Sequence, residues 1–217
     1  MLNFKLVPVD YHSNCRDDQN YTINCSLCIV HMKPSNISRR IKSAISEFKK
    51  KDYESCLLHC FPAIDKTAKL RYPKAGVGRR FESFLSDQFD IIAPIGLGSR
   101  FGKGCTFGGL SYERAIYNLA RNTLVHEGNL DQLLTINESK ISVIGGNWAL
   151  SDRNVLALII AVVVAKENLK EYLDFEIEIL LFNKRFSLNS LWGKEAELRS
   201  LIFEVYNQSE QEDGEGR

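Results

Sequence analysis

Apolar residues return at helical spacing through most of this chain. Ile37, Ile41, Ala44, Ile45 and Phe48 share one face of a predicted helix whose other face carries Lys and Arg, and Pro34, Ser35 and Asn36 mark its start. A second helix is predicted from Asp52 or Tyr53 to Arg71, with Tyr53, Cys56, Leu57, Cys60, Ile64 and Ala68 buried. Pro62 should kink or split it, because proline has no N–H and crowds the preceding turn. A shorter helix over RRFESFLSDQFDII puts Phe81, Phe84, Leu85 and Phe89 in register. Two more helices follow, one from Leu110 to His126 and a long apolar one from Asp152 to Tyr172.

Between those two, LDQLLTI, a turn at NESK and ISVIGG read as a hairpin, and NWALSD leads into the long helix. FEIEILL and RFSLNSL read as two short strands, and a last helix is expected over Lys194 to Tyr206. The predicted fold is mainly α, an antiparallel helical bundle with small β-hairpin additions. It divides into an irregular cysteine-containing segment (1–36), a helical domain (37–172), C-terminal strands and a helix packed on it (173–206), and a polar tail expected to be disordered (207–217). Ile41, Ile45, Phe48, Leu57, Ile64, Ile116, Leu119, Leu156 and Ile160 are the expected core.

Charge narrows the function. The net charge of the 217-residue chain is +1, so no global field draws in nucleic acid and any RNA contact needs a local patch. The N-terminus lacks the layout of a signal peptide, and the run Asn154 to Ala165 is about half of the roughly 20 residues a membrane helix needs. A cytoplasmic protein with no membrane contact is expected. Of six cysteines, Cys56 and Cys60 sit one helical turn apart and read as small core hydrophobes. Cys15, Cys25, Cys28 and His31 offer zinc-type ligands with one tight pair where a firm site shows two; they read as a structural zinc staple or as core and surface thiols. No catalytic metal and no cofactor is expected.

The stretch Gly96 to Gly109 is glycine-rich and basic, but Leu97 and Gly104 occupy positions where a Walker A loop needs Gly and Ser or Thr. It reads as a mobile loop from which Arg100 and Lys103 can reach phosphate.

The helix from Leu110 to His126 carries the sharpest chemistry. On a wheel of about 100° per residue, Arg114, Asn118, Ser111, Asn122 and His126 fall on a single arc of roughly 140° that starts at Arg121, while Tyr112, Ile116, Leu119 and Ala120 lie on the rest of the wheel and pack. Solvated helix faces usually mix Glu with Lys. This one offers guanidinium, amide, hydroxyl and imidazole groups without a carboxylate of its own, which suits phosphate. A lone His before Gly128 would be explained as a helix terminus, but that does not account for Arg121 and Asn122. His59 reads as structural, and His12 and His31 have no evident partner.

Arg121, Asn122 and His126 resemble the Arg-x4–6-His signature of the HEPN superfamily (higher eukaryotes and prokaryotes nucleotide-binding). The stretches ISEFKKKDYESCLLHCFPAIDKTAKLRYP and NWALSDRNVLALIIAVVVAKEN are similar to the helices flanking that motif, so the resemblance spans about residues 37–170. Glu127 and Gly128 follow the His where the toxin subgroup has x-Tyr. The resemblance implies a metal-independent endoribonuclease, with phage defence or stress response as its setting. Arg121 would stabilise the phosphorane, Asn122 would orient phosphate or imidazole, and His126 would carry the proton, while Asp65 and Lys66 would border the cleft. One imidazole scarcely serves as both base and acid, so the family pattern implies a homodimer with two motifs in one cleft. The alternatives are an inactive RNA- or nucleotide-binding or dimerisation module, and a helical interaction domain whose motif is fortuitous.

Overall fold

The computed structural model describes residues 5–7, 35–101, 104–137 and 142–214. The zinc-type group Cys15, Cys25, Cys28 and His31, together with His12 and Lys103, lies outside the described residues.

The fold is mainly helical with small sheets, as the pattern predicts. Strand β1 (Lys5–Val7) precedes α1 (Asn36–Lys49) and α2 (Tyr53–Arg71). The Ser35 hydroxyl accepts from the backbone of Ile37 and Ser38, and the Asp52 carboxylate accepts from Ser55 N, so both helix starts satisfy free N–H groups. The two helices form a tight antiparallel hairpin, with Lys51 at positive φ in the turn. Pro62 does not split α2. Leu58, whose carbonyl loses its helical partner to the proline ring, lies on the exposed side, where water can take that bond.

Next come α3 (Val77–Asp87), α4 (Phe89–Ile92) and a π-helical turn, Ala93–Leu97. The glycine-rich stretch is not one loop. Gly96 is buried in the π-helical turn, and a Cβ there would stand 2.7 Å from Asn154 Nδ2. Strands β2 (Thr106–Phe107) and β3 (Leu110–Ser111) then form a hairpin around Gly108 and Gly109, both at positive φ. α5 (Tyr112–Ala115), a second π-helical segment (Ile116–Asn122) and α6 (Thr123–Glu127) follow, ending at Gly128 in the left-handed region.

The predicted hairpin between LDQLLTI and ISVIGG does not form among the described residues. β4 (Leu134–Asn137) pairs parallel with β6 (Asn147–Ser151), and β5 (Ser142–Ile144) pairs antiparallel with the other edge of β6 through a turn at Gly145 and Gly146. The stretch read as a lead-in to the long helix is therefore the central strand. α7 (Asp152–Val164) is buried on all sides from Asn154 to Val164 and packs against α1, α2, α4 and the first π-helical turn. It ends eight residues before Tyr172. Ala165 turns extended, and the Asn168 side chain donates to Val162 O at 2.7 Å and to Thr67 Oγ1 at 3.0 Å, tying the helix end to α2. β7 (Glu176–Leu181) pairs with β8 (Lys184–Ser187) and with β1. α8 (Glu195–Gly214) runs past Tyr206 into the tail that its polar composition assigned to disorder.

Ile41, Ile45, Leu57, Ile64, Ile116, Leu156 and Ile160 are buried, and Phe48 and Leu119 pack on the rim of the core. Burying one such side chain is worth about 1.5–3 kcal/mol. Cys56 and Cys60 sit inside it as free thiols; burial pushes the Cys56 thiol up to about 12 and raises Cys60 well above the ordinary thiol value, so neither is a ready thiolate.

Candidate functional site

The helix bearing Arg121, Asn122 and His126 is not a uniform α-helix. Its middle, Ile116–Asn122, is π-helical, and the backbone ladder departs from the α-helical pattern at Leu119. In an α-helix the Leu119 carbonyl would take the Thr123 N–H. Here Thr123 N donates to Ala120 O, and Leu119 O instead accepts from Thr123 Oγ1 at 2.8 Å and from Asp131 N at 3.0 Å. A side-chain hydroxyl and a loop amide thus pull one carbonyl out of the ladder. π-Helical turns of this kind occur often at functional sites.

The wider turn redistributes the polar face drawn at uniform α-helical spacing. Arg121 turns toward α2 and is half-buried. Its Nη2 contacts Asp65 Oδ2 at 3.0 Å, its Nη1 donates to Asn122 Oδ1 at 3.2 Å, and its guanidinium lies 5.6 Å from the Tyr117 ring centre. The face without a carboxylate of its own therefore receives one from α2. Asn122 holds Arg121 rather than the imidazole. The pair is single-point: Arg121 Nε and Asp65 Oδ1 are buried without a hydrogen-bond partner among the described residues. His126 lies one turn beyond Asn122, exposed, with no hydrogen bond or ion pair to the described residues. Val125 beside it is also exposed.

The other sequence-predicted contacts separate. Arg114 and Asn118 are exposed on the motif helix, and Lys66 is exposed on α2. Ser111 is not on that helix; it closes β3, opposite Thr106. Arg100 lies over the ring of Phe203 on α8, 5.5 Å from its centre. His59 faces α1, its Nδ1 3.3 Å from Arg40 Nη1; burial first, and then the Arg40 charge, lower its pKa. No group of three or more His, Cys, Asp or Glu placed to hold a metal occurs among the described residues. No helix among them is long and apolar enough to cross a membrane. Sequence reasoning gave Asp65 only a bordering role, and nothing in its spacing from Arg121, 56 residues along the chain, reveals the contact.

The Asp65–Arg121 pair makes a stability prediction. Its side chains are 19% and 14% exposed, between the surface and buried regimes. Arg121→Ala and Asp65→Ala should each cost about 1–3 kcal/mol, and the double variant should cost less than their sum by about 0.5–3 kcal/mol. Urea unfolding of the four proteins measures this, and strictly additive losses would show that the two side chains do not support each other.

Fold and site together define a mainly helical protein with small β-sheets, whose Arg-Asn pair sits in a π-helical turn and whose histidine stands at the open end of the same helix. The match to the family model described as Rv1289 spans residues 36–212, from the first residue of α1 into α8. The chain belongs to the Rv1289 family. It is similar to uncharacterized protein Rv1289 of Mycobacterium tuberculosis (strain ATCC 25618 / H37Rv), 24% identical over 184 residues covering 77% of this chain and 88% of the relative. Its similarity to uncharacterized protein Mb1320 of Mycobacterium bovis has the same identity and coverage, 24% over 184 residues. No solved structure matches it.

Proposed function

We propose that this chain is a HEPN-type endoribonuclease that cleaves RNA without a metal ion. The observation that carries the reading is the division of labour within one short helix: a guanidinium oriented by Asp65 and Asn122, followed by an exposed imidazole with no partner among the described residues. An oriented cation suits charge that grows on phosphate, and an exposed imidazole suits proton transfer. The reaction removes the proton from a ribose 2′-OH, forms the O2′–P bond, breaks the P–O5′ bond and delivers a proton to O5′. Two copies of His126, one from each protomer of a homodimer, would act as base and acid. The 2′-OH is the nucleophile, so the substrate is RNA and not DNA.

A second reading has its own support. Arg121 already has a carboxylate partner, as a residue retained for structure would, and this favours a binding or dimerisation module. Incubating labelled single-stranded RNA with the full chain in EDTA separates the two. Cleavage is expected, with a 2′,3′-cyclic phosphate and a 5′-hydroxyl as products, and sedimentation should show a dimer. Cleavage that stops in EDTA would overturn the mechanism, and a folded protein that cuts no RNA would leave the binding module.

A further inference from the structure

We infer that a groove along the outer face of α1 binds the backbone of single-stranded RNA, apart from the Arg121–His126 helix. Arg39, Lys42, Ser46 and Lys49 recur at i, i+3, i+7 and i+10, so they line one side of α1 over about 15 Å. The facing wall is the segment that leads into β7, with Tyr172 and Phe175 as its aromatic members. Two cavities of about 330 and 520 Å³ follow one another along this line and share Lys42 and Asp174.

The row is not an ordinary solvated face. Such faces alternate cations with carboxylates at i,i+4, whereas these four positions hold three cations and a serine. Glu47, also on α1, is engaged by Lys50 at 2.9 Å. Asp174 is the carboxylate in the groove, 2.8 Å from Lys42, and both side chains are 49% exposed. An exposed pair of this kind contributes at most about 1 kcal/mol, so phosphate can displace the carboxylate. Lys42 also lies over the Phe175 ring, 5.1 Å from its centre. Burial lowers the pKa of Lys49, as expected for an amine drawn into a groove.

A basic track beside aromatic rings is how proteins hold single strands without reading sequence: cations follow the phosphates and bases stack. A membrane surface would be met by apolar side chains projecting outward; here Phe175 is half-buried within the groove. The choice of RNA over another polyanion rests on the proposed nuclease reading. α2 packs between α1 and the motif helix, so the groove serves as an anchoring surface and not as part of the cleft.

The test is fluorescence anisotropy with a labelled single-stranded oligoribonucleotide over a range of salt, in the His126→Ala background so that cleavage cannot confound binding. Lys42→Glu combined with Lys49→Glu should raise Kd by roughly 10- to 100-fold and flatten the slope of log K against log salt by about 1.4, the loss of two phosphate contacts. Phe175→Ala should raise Kd by roughly 5- to 100-fold with the slope unchanged. Circular dichroism verifies that each variant is folded. An unchanged Kd and slope in the double reversal would overturn the inference. So would a chain that ignores the oligonucleotide but binds phosphatidylserine vesicles through Lys42 and Lys49. Loss of binding in the variants of a chain that never cuts RNA would keep the groove and discard the nuclease.

Discussion

His126→Ala is expected to lose at least about 10²-fold in RNA cleavage while unfolding at the wild-type temperature. The imidazole is exposed on the last turn of α6 and has no hydrogen bond or ion pair to the described residues, so its removal deletes no packing and orphans no partner. Surface changes of that kind usually stay within about 0.5 kcal/mol. Its proposed work is proton transfer, which is typically worth about 10²–10⁴-fold. Arg121→Ala makes the contrast: it should lose activity through the phosphorane and stability through Asp65. Single-turnover cleavage beside thermal melts separates the two effects. Undiminished cleavage by a folded His126→Ala protein would remove this residue from the mechanism.

Arg71→Ala should be the most destabilising single change at a charged residue, about 3–5 kcal/mol at neutral pH, lowering Tm by about 10 °C. Arg71 ends α2 with its side chain 9% exposed. It holds Glu167 through Nε at 2.9 Å and Nη2 at 2.8 Å, reaches Glu195 at the start of α8 at 2.5 Å, and lies over the ring of Phe84 in α3. One guanidinium therefore joins segments that are distant in sequence. Truncation leaves the half-buried Glu167 and Glu195 without their main cation, although Arg199 still contacts Glu195 at 2.9 Å.

The effect has a definite sign with pH. Burial raises the Glu167 carboxyl, but the Arg71 hydrogen bond, a backbone hydrogen bond, and the Arg71 and Lys166 charges together outweigh it and hold the group below its ordinary value. Its contribution to stability is therefore full above the ordinary carboxylate range and is lost as pH falls through the lower folded value. The gap between wild type and Arg71→Ala should be widest at pH 7 and narrow toward pH 4. Glu167→Gln added to Arg71→Ala should restore part of the loss. A gap that does not vary with pH would show that packing on Phe84, and not charge, is what the variant removes.

The sequence by itself determined the elements whose cause is local. The cores of α1, α2 and α7 were legible because their apolar residues repeat at helical or continuous spacing, and the starts of α1 and α2 because Ser35 and Asp52 cap them. Arg121, Asn122 and His126 were legible as residue types on one helix. Tertiary structure decided what depends on partners distant along the chain. β4 lies parallel to β6, against the simple hairpin, because pairing is chosen by which strand edge is available and not by the turn between neighbours. α7 stops at Val164, where Asn168 takes the Val162 carbonyl and reaches Thr67 on α2, though its apolar run gives no sign of a stop there. The same holds at the candidate site. In the π-helical turn a carbonyl leaves the ladder for Thr123 and Asp131, and Asp65 from another helix takes Arg121 while His126 remains in the open. Helical periodicity counts residues along one axis, whereas a displaced carbonyl and an ion pair across two helices depend on three-dimensional contacts that no local spacing encodes.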